Sequence, residues 1–386
     1  MRKLLKNEGV QSLIASLLCI VLGLLIGYIV LLFINPSGAF DAIIDIIKNF
    51  FNYAKAQLQI KNLGNTLVKT APLLLCALSV LFCYKVGLFN IGAAGQYVAG
   101  ACAGLYAALA WGWSWLPCLL FAIAAGAVLG VIVGLLKAYF NVNEVISGIM
   151  LNWIGLYTTN MILTNVKETT SPYTLHIRTA NPSAILPSAG LDKLFSGNMY
   201  VSIAIPLSIL VAVVILILLE KTKLGYELKA TGFNRNAAKY AGMAQKRNII
   251  LTLVIGGALA GLGGALLYLT DYEQWMCTVS SVPGMGFNGI AAAFLGGLNP
   301  IGTIFASFFI QHITSGGAYV DKTMYCSQIS ELISAIIIYL CGFVFFIKYA
   351  FNLYLSKKET RSDTRFTKKE MDEVRDASAL KGGDEG

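Results

Sequence analysis

The sequence predicts an all-α polytopic membrane protein with about ten transmembrane helices. Of its 386 residues, 56% are hydrophobic and only 13% are charged. Soluble domains carry about 25% charged residues, so most of this chain is expected to lie away from water. The apolar residues form runs long enough to cross a bilayer as helices, and positive charge collects between the runs and at the chain ends.

Ten apolar runs mark the predicted spans. They lie near residues 12–34, 64–83, 88–110, 115–138, 144–163, 199–219, 248–269, 284–298, 301–318 and 327–351. The first run follows three cations, as in a secretory signal peptide, and the small residues Ser37-Gly38-Ala39 leave cleavage open as an alternative. Its length of about 22 apolar residues favours a full span.

Positive charge gives these spans an orientation. Three cations precede the first span, seven lie in Lys221–Arg247 against a single acid, and nine lie between Lys348 and Lys381. Cytoplasmic loops carry such an excess, and ten crossings place all three segments, and so both termini, on that side. Because the cations follow this topology, they do not indicate a nucleic-acid partner.

This topology divides the chain into two parts. Residues 1–351 form the transmembrane domain, with a cytoplasmic loop at 221–247 and the longest outer loop at 164–198. Residues 352–386 are charged and poor in apolar side chains, which predicts a disordered cytoplasmic tail. The outer loop contains three prolines and is either a connector or a surface for an external protein partner.

A second outer segment, Ser37–Gln59, has apolar residues at intervals of three and four. This spacing predicts an amphipathic helix. Two placements remain open: the helix lies at the interface with membrane lipid, or it packs on the bundle as a cap.

Two glycine-rich segments interrupt the apolar runs. The first, 87–96, reads GLFNIGAAGQ, and the second, 283–290, reads PGMGFNGI. Backbone at membrane depth must be satisfied by protein or by a water-filled cavity, so interrupted helices lining a cavity are predicted. Close helix packing through the glycines is the alternative. Because spans two to five and seven to ten enter from opposite sides, the pattern predicts inverted repeats around a transport pathway.

Polar side chains near these segments are candidate pathway residues. Asn90 and Gln96 can hydrogen-bond a neutral polar ligand. In the fifth span, Glu144 and Asn152 lie on one helical face. Asn152 lies deeper and is the better pathway candidate, whereas Glu144 lies near the cytoplasmic end, where an interhelical hydrogen bond is favoured over a proton relay.

The cytoplasmic loop contains a short helix pattern. Asn234 can cap a helix that starts with Arg235, and Gly242 can end it. Two helical turns are not stable alone in water, so the helix must pack on its own spans or on another protein. Docking of a partner is the functional interpretation, and incidental helicity in a basic loop is the alternative.

The sequence contains no phosphate-binding Gly-x-x-x-x-Gly-Lys-Ser/Thr motif, so ATP-driven transport would need an ATPase on another chain. An ion-coupled transporter would need acidic residues deep in the bundle, and a membrane enzyme would need clustered His, Asp or Glu; neither pattern is seen. The two histidines give little support for a metal site, and no cofactor is expected. Cys277 and Cys326 fall in predicted outer loops, which leaves a disulfide between them open.

Five segments carry a family pattern. They are Gly87–Gly95 (GLFNIGAAG), Asn143–Asn152 (NEVISGIMLN), Gly225–Gly242 (GYELKATGFNRNAAKYAG), Ala258–Gly264 (ALAGLGG) and Gly286–Gly302 (GFNGIAAAFLGGLNPIG). They resemble the permease subunits of bacterial ABC importers for branched-chain amino acids, simple sugars and nucleosides. The likeness is greatest to the nucleoside permeases that work with a basic-membrane-protein type lipoprotein.

The resemblance implies partners and a location. In this family two permeases, commonly different chains, combine with an ABC ATPase and an extracytoplasmic substrate-binding lipoprotein in the bacterial cytoplasmic membrane. The region that matches Gly225–Gly242 is the coupling segment, which sits on the ATPase. The residues that the resemblance assigns to ATPase contact are Glu227, Arg235, Asn236, Ala237, Ala238 and Tyr240.

The resemblance also implies nucleoside import by alternating access, with no enzymatic reaction on this chain. Phe89 and Phe287 are expected to stack a base. The residues expected to bond base edges or ribose hydroxyls are Asn90, Gln96, Asn152 and Asn288. A simple-sugar or branched-chain amino acid permease shares the architecture and remains an alternative. The chain departs from the family at Gly296–Pro300, where many relatives carry an arginine before Asn-Asn-Pro.

Overall fold

The computed structural model describes residues 8–326, 328–341, 343, 346, 347, 349 and 350. The helices are α1 (Glu8–Ile34), α2 (Ala39–Lys48), α3 (Ala56–Lys85), α4 (Ala93–Leu109), α5 (Trp115–Phe140), α6 (Glu144–Leu163), α7 (Ala204–Lys221), α8 (Lys223–Phe233), α9 (Arg235–Tyr240), α10 (Gln245–Tyr268), α11 (Met285–Leu295), α12 (Pro300–Gly316) and α13 (Ile329–Cys341). Single turns lie at Asn49–Asn52, Thr164–Val166, Ile177–Ala180, Pro182–Ala184, Leu191–Leu194 and Gly317–Tyr319. The described part of the chain is otherwise irregular, with two isolated β-bridges.

Each of the ten predicted runs contains a helix, and the molecule is an all-helical, multi-pass membrane protein. Among the described residues, five helices are long and apolar enough to cross a membrane: α1, α3, α5, α7 and α10. Helix α11 is apolar but shorter. The prediction of a span over 88–110 is wrong at its start, because the helix begins only at Ala93. The N-terminal cations and the 352–386 tail lie outside the described residues.

Helices α3 and α10 form the centre of the bundle and pack on each other. In the 18-residue apolar stretch of α3, 89% of the residues are buried, whereas in that of α1 only 22% are buried. Helices α4 and α5, which follow α3, pack on α10, while α11 and α12, which follow α10, pack on α3. The helices that follow α3 in the chain therefore pack around α10, and the helices that follow α10 pack around α3.

Glycine allows α5 to approach the central helix α10 closely. A methyl group at Gly126 of α5 would overlap the carbonyl oxygen of Gly257 of α10, and one at Gly130 would overlap that of Leu253. Small residues at helix contacts allow such backbone approach in membranes. Glycines outside the two glycine-rich segments thus bring α5 against α10.

The predicted amphipathic helix is present but shorter than predicted. It covers Ala39–Lys48, and the residues from Ala56 onward belong to α3. The chain turns between them, where Asn49 takes a left-handed conformation with φ of 46°. One face of α2 is buried, with Ile46 against Gly316 of α12, while the opposite face exposes aromatic and aliphatic side chains. The helix thus caps the bundle and also presents an apolar face outward.

The outer loop at 164–198 is packed on the protein. Thr174 and Asn198 are fully buried, and Leu186 N donates to Leu269 O at 3.1 Å. The loop is therefore a folded surface on the helices.

The disulfide left open by the sequence is not formed. Cys277 is buried and Cys326 is exposed, and both are free thiols.

Candidate functional site

The first glycine-rich segment turns back into the bundle. Residues 86–92 are non-helical between α3 and α4. Asn90 is 2% exposed, and its Nδ2 donates to Ser79 Oγ at 2.9 Å and to Gln96 Oε1 at 2.8 Å. These bonds hold the segment against α3, so the helical path is interrupted where the glycine-rich sequence predicts.

Asn152 of α6 holds the other side of this segment. Its Oδ1 accepts from Gly95 N at 2.7 Å, and its Nδ2 donates to Ile91 O at 3.1 Å. Backbone groups near the start of a helix lack some intrahelical partners, and a side-chain amide can supply one. Gly148 permits the approach, since a methyl group there would lie 2.7 Å from Gly92 N.

Gln96 carries a buried donor that no group in the described part of the chain satisfies. Its side chain is 1% exposed, and Nε2 has no hydrogen-bond partner among the described residues. An unpaired buried donor costs about 1–3 kcal/mol. A carbonyl oxygen or ring nitrogen of a bound ligand would satisfy it, which makes this amide a candidate ligand contact.

The second glycine-rich segment brings α11 to the same region. Gly286 packs so closely on Ala94 of α4 that a methyl group would overlap the backbone, and Gly289 lies against Cys76 of α3. The first turns of α4 and α11 therefore meet beside α3, about 13 Å from its C-terminal end.

The two predicted stacking residues differ in their surroundings. Phe89 is half-buried and packs edge-on against Tyr84, with 6.3 Å between ring centroids. Phe287 is 39% exposed, and Asn288 beside it is half-buried. Among the described residues no ring contact joins Phe89 to Phe287. The structure thus brings the three buried amides into one region, and base stacking by Phe89 and Phe287 stays a prediction.

The basic loop folds into two helices. Thr222 caps α8, its Oγ1 accepting from Gly225 N at 3.0 Å, and Asn234 caps α9, its Oδ1 accepting from Ala237 N at 3.0 Å. Gly242, with φ of 79°, follows α9 as predicted. The capped α9 agrees with the sequence prediction, whereas α8 is an additional helix that the pattern did not indicate.

Helix α8 is fixed to the membrane helices. Asn248 of α10 donates through Nδ2 to Thr231 Oγ1 at 2.8 Å. A methyl group at Gly232 would overlap the carbonyl oxygen of Val86. The basic loop therefore contacts the chain that leads directly to Asn90.

The outward side of α8 and α9 is aromatic. Phe233 is 91% exposed and Tyr240 is 93% exposed. We define the coupling surface by its exposed residues Tyr226, Phe233, Asn236, Ala237 and Tyr240. Of the other residues assigned to ATPase contact, Glu227 and Arg235 are half-buried and Ala238 is buried. The sequence pattern did not single out Phe233 as a contact residue, although an aromatic residue next to a helix cap in a basic loop could have indicated one.

Two of the ion pairs among the described residues join a helix of the bundle to another part of the chain. Glu144 of α6 lies 2.6 Å from Lys137 Nζ of α5, and both side chains are 14% exposed. This ion pair between two helices gives the Glu144 carboxylate a partner, so no proton relay is needed to explain its position. The second pair joins Lys69 Nζ of α3 to Glu273 Oε1, between α10 and α11, at 2.7 Å. Sequence reasoning missed it, although a lysine inside the 64–83 run was visible.

Known proteins are similar to this chain over most of its length. Residues 62–342 match the family described as branched-chain amino acid transport system / permease component. The nucleoside ABC transporter permease protein NupB of Lactococcus lactis is 31% identical over 94% of this chain and 98% of its own length. The guanosine ABC transporter permease protein NupP of Bacillus subtilis is 33% identical over 86% and 93%. The glucose ABC transporter permease protein TsgB13 of Haloferax volcanii is 29% identical over 77% and 80%. No solved structure matches the chain.

Proposed function

The chain belongs to the branched-chain amino acid transport system / permease component family, and from this premise we propose that it is the permease subunit of an ATP-driven nucleoside importer. Two relatives named for nucleoside or guanosine transport cover most of its length. Of the buried amides of Asn90, Gln96 and Asn152, Gln96 keeps a donor that has no partner among the described residues, and a nucleoside carbonyl or ring nitrogen could accept from it.

One observation supports the transport mechanism most strongly: helix α8 of the basic loop contacts the interrupted segment. Gly232 of α8 packs on Val86, four residues before the buried Asn90. A partner that moves α8 therefore acts directly on the chain that holds the candidate ligand contacts.

The proposed topology has ten crossings, cytoplasmic termini and two inverted repeats headed by α3 and α10. Its support is the exchanged packing, in which the helices after α3 surround α10 and those after α10 surround α3. Repeats related by an axis in the membrane plane pack in this way. The location is the bacterial cytoplasmic membrane.

Three protein partners complete the proposed importer. An ABC ATPase binds the coupling surface, because exposed aromatic residues are common interface anchors and the sequence lacks a phosphate-binding motif of its own. A substrate-binding lipoprotein docks near the folded 164–198 loop. A second permease, a different chain in the favoured arrangement, completes the pathway within membrane lipid.

In the proposed cycle, the loaded lipoprotein docks outside while the ATPase pair binds ATP. Closure of the ATPases displaces α8 and α9, and α8 shifts the interrupted segment through Gly232 and Val86. The predicted cavity at the glycine-rich segments then changes the side to which it opens, and Gln96 exchanges its contact with the nucleoside.

A sugar permease is the second candidate, favoured by the glucose-permease relative. The test is uptake of labelled guanosine, uridine, ribose, glucose and leucine by the host strain with and without this chain. The proposal expects loss of nucleoside uptake alone. Loss of glucose or leucine uptake with intact guanosine uptake would reject the nucleoside assignment, and uptake by this chain without a co-purifying ATPase would reject the ABC mechanism.

A further inference from the structure

Lys69 occupies an unusual place for a charged side chain. It lies about 24 Å from the C-terminal end of α3, in a helix enclosed by α7, α10, α11 and α12. Its side chain is nevertheless 30% exposed, and that of its partner Glu273 is 39% exposed. This pair therefore stays partly accessible to solvent, although four helices pack on α3.

A polar face of α3 leads to this ion pair. Asn62, Asn65 and Lys69 follow one another at intervals of three and four, which places them on one side of the helix, and all three are half-buried. Asn65 Nδ2 donates to Asn62 Oδ1 at 3.1 Å. Further along this face, Leu73 and Cys76 are buried, so the polar face ends at Lys69. We call Asn62, Asn65, Lys69, Tyr272 and Glu273 the outer vestibule.

An aromatic ring completes the outer vestibule. The Nζ of Lys69 lies 5.3 Å from the centroid of the Tyr272 ring, and the Tyr200 ring packs edge-on against Tyr272 with 5.1 Å between centroids. Tyr272 is half-buried, and burial raises its pKa, so its phenol stays neutral. The ammonium group of Lys69, the carboxylate of Glu273 and the ring of Tyr272 thus lie side by side, each partly accessible to solvent.

These three chemistries match the parts of a ribonucleoside. A carboxylate accepts hydrogen bonds from hydroxyl groups, as acidic residues do with ribose in dinucleotide sites. An ammonium group donates to carbonyl oxygens or ring nitrogens of a base, and aromatic side chains stack on bases. A charge within a predicted span is costly and usually functional, which argues against an incidental lysine at position 69.

We propose that the outer vestibule is an entry subsite for a ribonucleoside, with Glu273 on the ribose hydroxyls, Lys69 on the base edge and Tyr272 on its face. This inference rests on the proposed nucleoside function. It places a first contact about 10 Å from the level of Cys76 along α3, on the side away from the coupling surface.

The experiment measures binding of labelled guanosine and 2′,3′-dideoxyguanosine to the complete permease–ATPase complex in nanodiscs, without the lipoprotein. The variants are Glu273→Gln, Lys69→Met and the charge exchange of both residues, and the matched control is Lys61→Met, an exposed lysine on the same helix. ATP-driven guanosine uptake by the wild-type complex with its lipoprotein is measured in parallel.

We expect Glu273→Gln to weaken guanosine binding about tenfold, because a hydrogen bond to a charged group is lost, and to abolish the preference for guanosine over the dideoxy analogue. Lys69→Met should weaken binding of both ligands, and Lys61→Met neither. Restored binding in the charge exchange would overturn the subsite in favour of a purely structural pair, as would wild-type binding in Glu273→Gln or no binding by the wild type. Failure of the proposed function is distinct, since wild-type uptake itself would then be absent.

Discussion

Gly87 and Gly232 lie in backbone contact: a methyl group at Gly87 would come within 3.0 Å of the carbonyl oxygen of Gly232. Gly87 has φ of 76°, a conformation that favours glycine. Because no side chain separates the two backbones, a shift of α8 is passed to the segment that carries Asn90. This contact connects the coupling surface to the candidate ligand site.

Substitution Gly232→Ala should impair coupling between ATP hydrolysis and uptake. Alanine normally favours a helix over glycine by about 1 kcal/mol, but here its methyl group would overlap the carbonyl of Val86 and push α8 away. The measurement is the number of ATP molecules hydrolysed per nucleoside imported, which should rise severalfold. Gly104→Ala is the matched control, because the nearest atom would lie at an ordinary 3.5 Å; an equal effect in both variants would contradict the role of the contact.

Substitution Gln96→Met should remove the candidate ligand contact while keeping side-chain volume. Asn90 retains Ser79 as a partner, and an unpaired donor disappears, so the free energy of unfolding should not fall by more than about 1 kcal/mol. Guanosine uptake at saturating lipoprotein should fall about tenfold. Ser307→Ala removes the other buried polar atom without a partner in the described chain and should leave uptake unchanged; unaltered uptake in Gln96→Met would exclude the contact.

Substitutions Phe233→Ala and Tyr240→Ala should weaken ATPase binding. Exposed aromatic anchors of an interface contribute about 2 kcal/mol or more, so the affinity should fall about 30-fold. The measurement is titration of the purified permease with its ATPase subunit. Phe305→Ala removes a ring that is 70% exposed on α12, away from the coupling surface, and serves as the control. Undiminished affinity in both coupling-surface variants would place the ATPase elsewhere.

Acid should loosen the outer loop at Glu168. Ser171 Oγ donates to Glu168 Oε2 at 2.7 Å and Gln274 Nε2 donates to Oε1 at 3.1 Å, and these bonds lower the pKa of Glu168 from its ordinary 4.5. A lowered pKa means that the bonds contribute fully above pH 4.5 and are lost as pH falls through the lowered value.

The measurement is hydrogen exchange of the Glu168 amide, which donates to Tyr173 O at 2.8 Å, corrected for the intrinsic effect of pH. Protection should fall on acidification below pH 4.5 in the wild type. In Glu168→Gln it should be independent of pH over that range. A wild-type loop whose protection survives acid while the helices stay folded would contradict this assignment.

The helices and the cap of α9 were predictable because they depend on local sequence. Apolar runs of sufficient length predict helices in lipid, and Asn234 followed by helix-favouring alanines predicts a capped start. Helix α8 was not predicted because its stability comes from packing: Leu228 is fully buried, a fact that the basic composition of the loop conceals.

The candidate site was predictable only in part. Glycine and amide side chains within an apolar run indicated an interruption, and Asn90 and Gln96 do meet there. The orientation of Phe89 toward Tyr84 depends on how the segment folds back, which has no local signature. The Lys69–Glu273 pair joins distant parts of the chain, so its partner could not be identified from spacing.

The most direct test of the account is guanosine uptake by proteoliposomes that contain this permease, its ATPase, a second permease and the lipoprotein. The account predicts uptake that requires ATP and lipoprotein, accumulates guanosine against its gradient, and exceeds glucose uptake at least tenfold. ATP-independent uptake, or ATP-driven uptake of glucose without guanosine, would contradict the claim that this chain is the permease of an ATP-driven nucleoside importer.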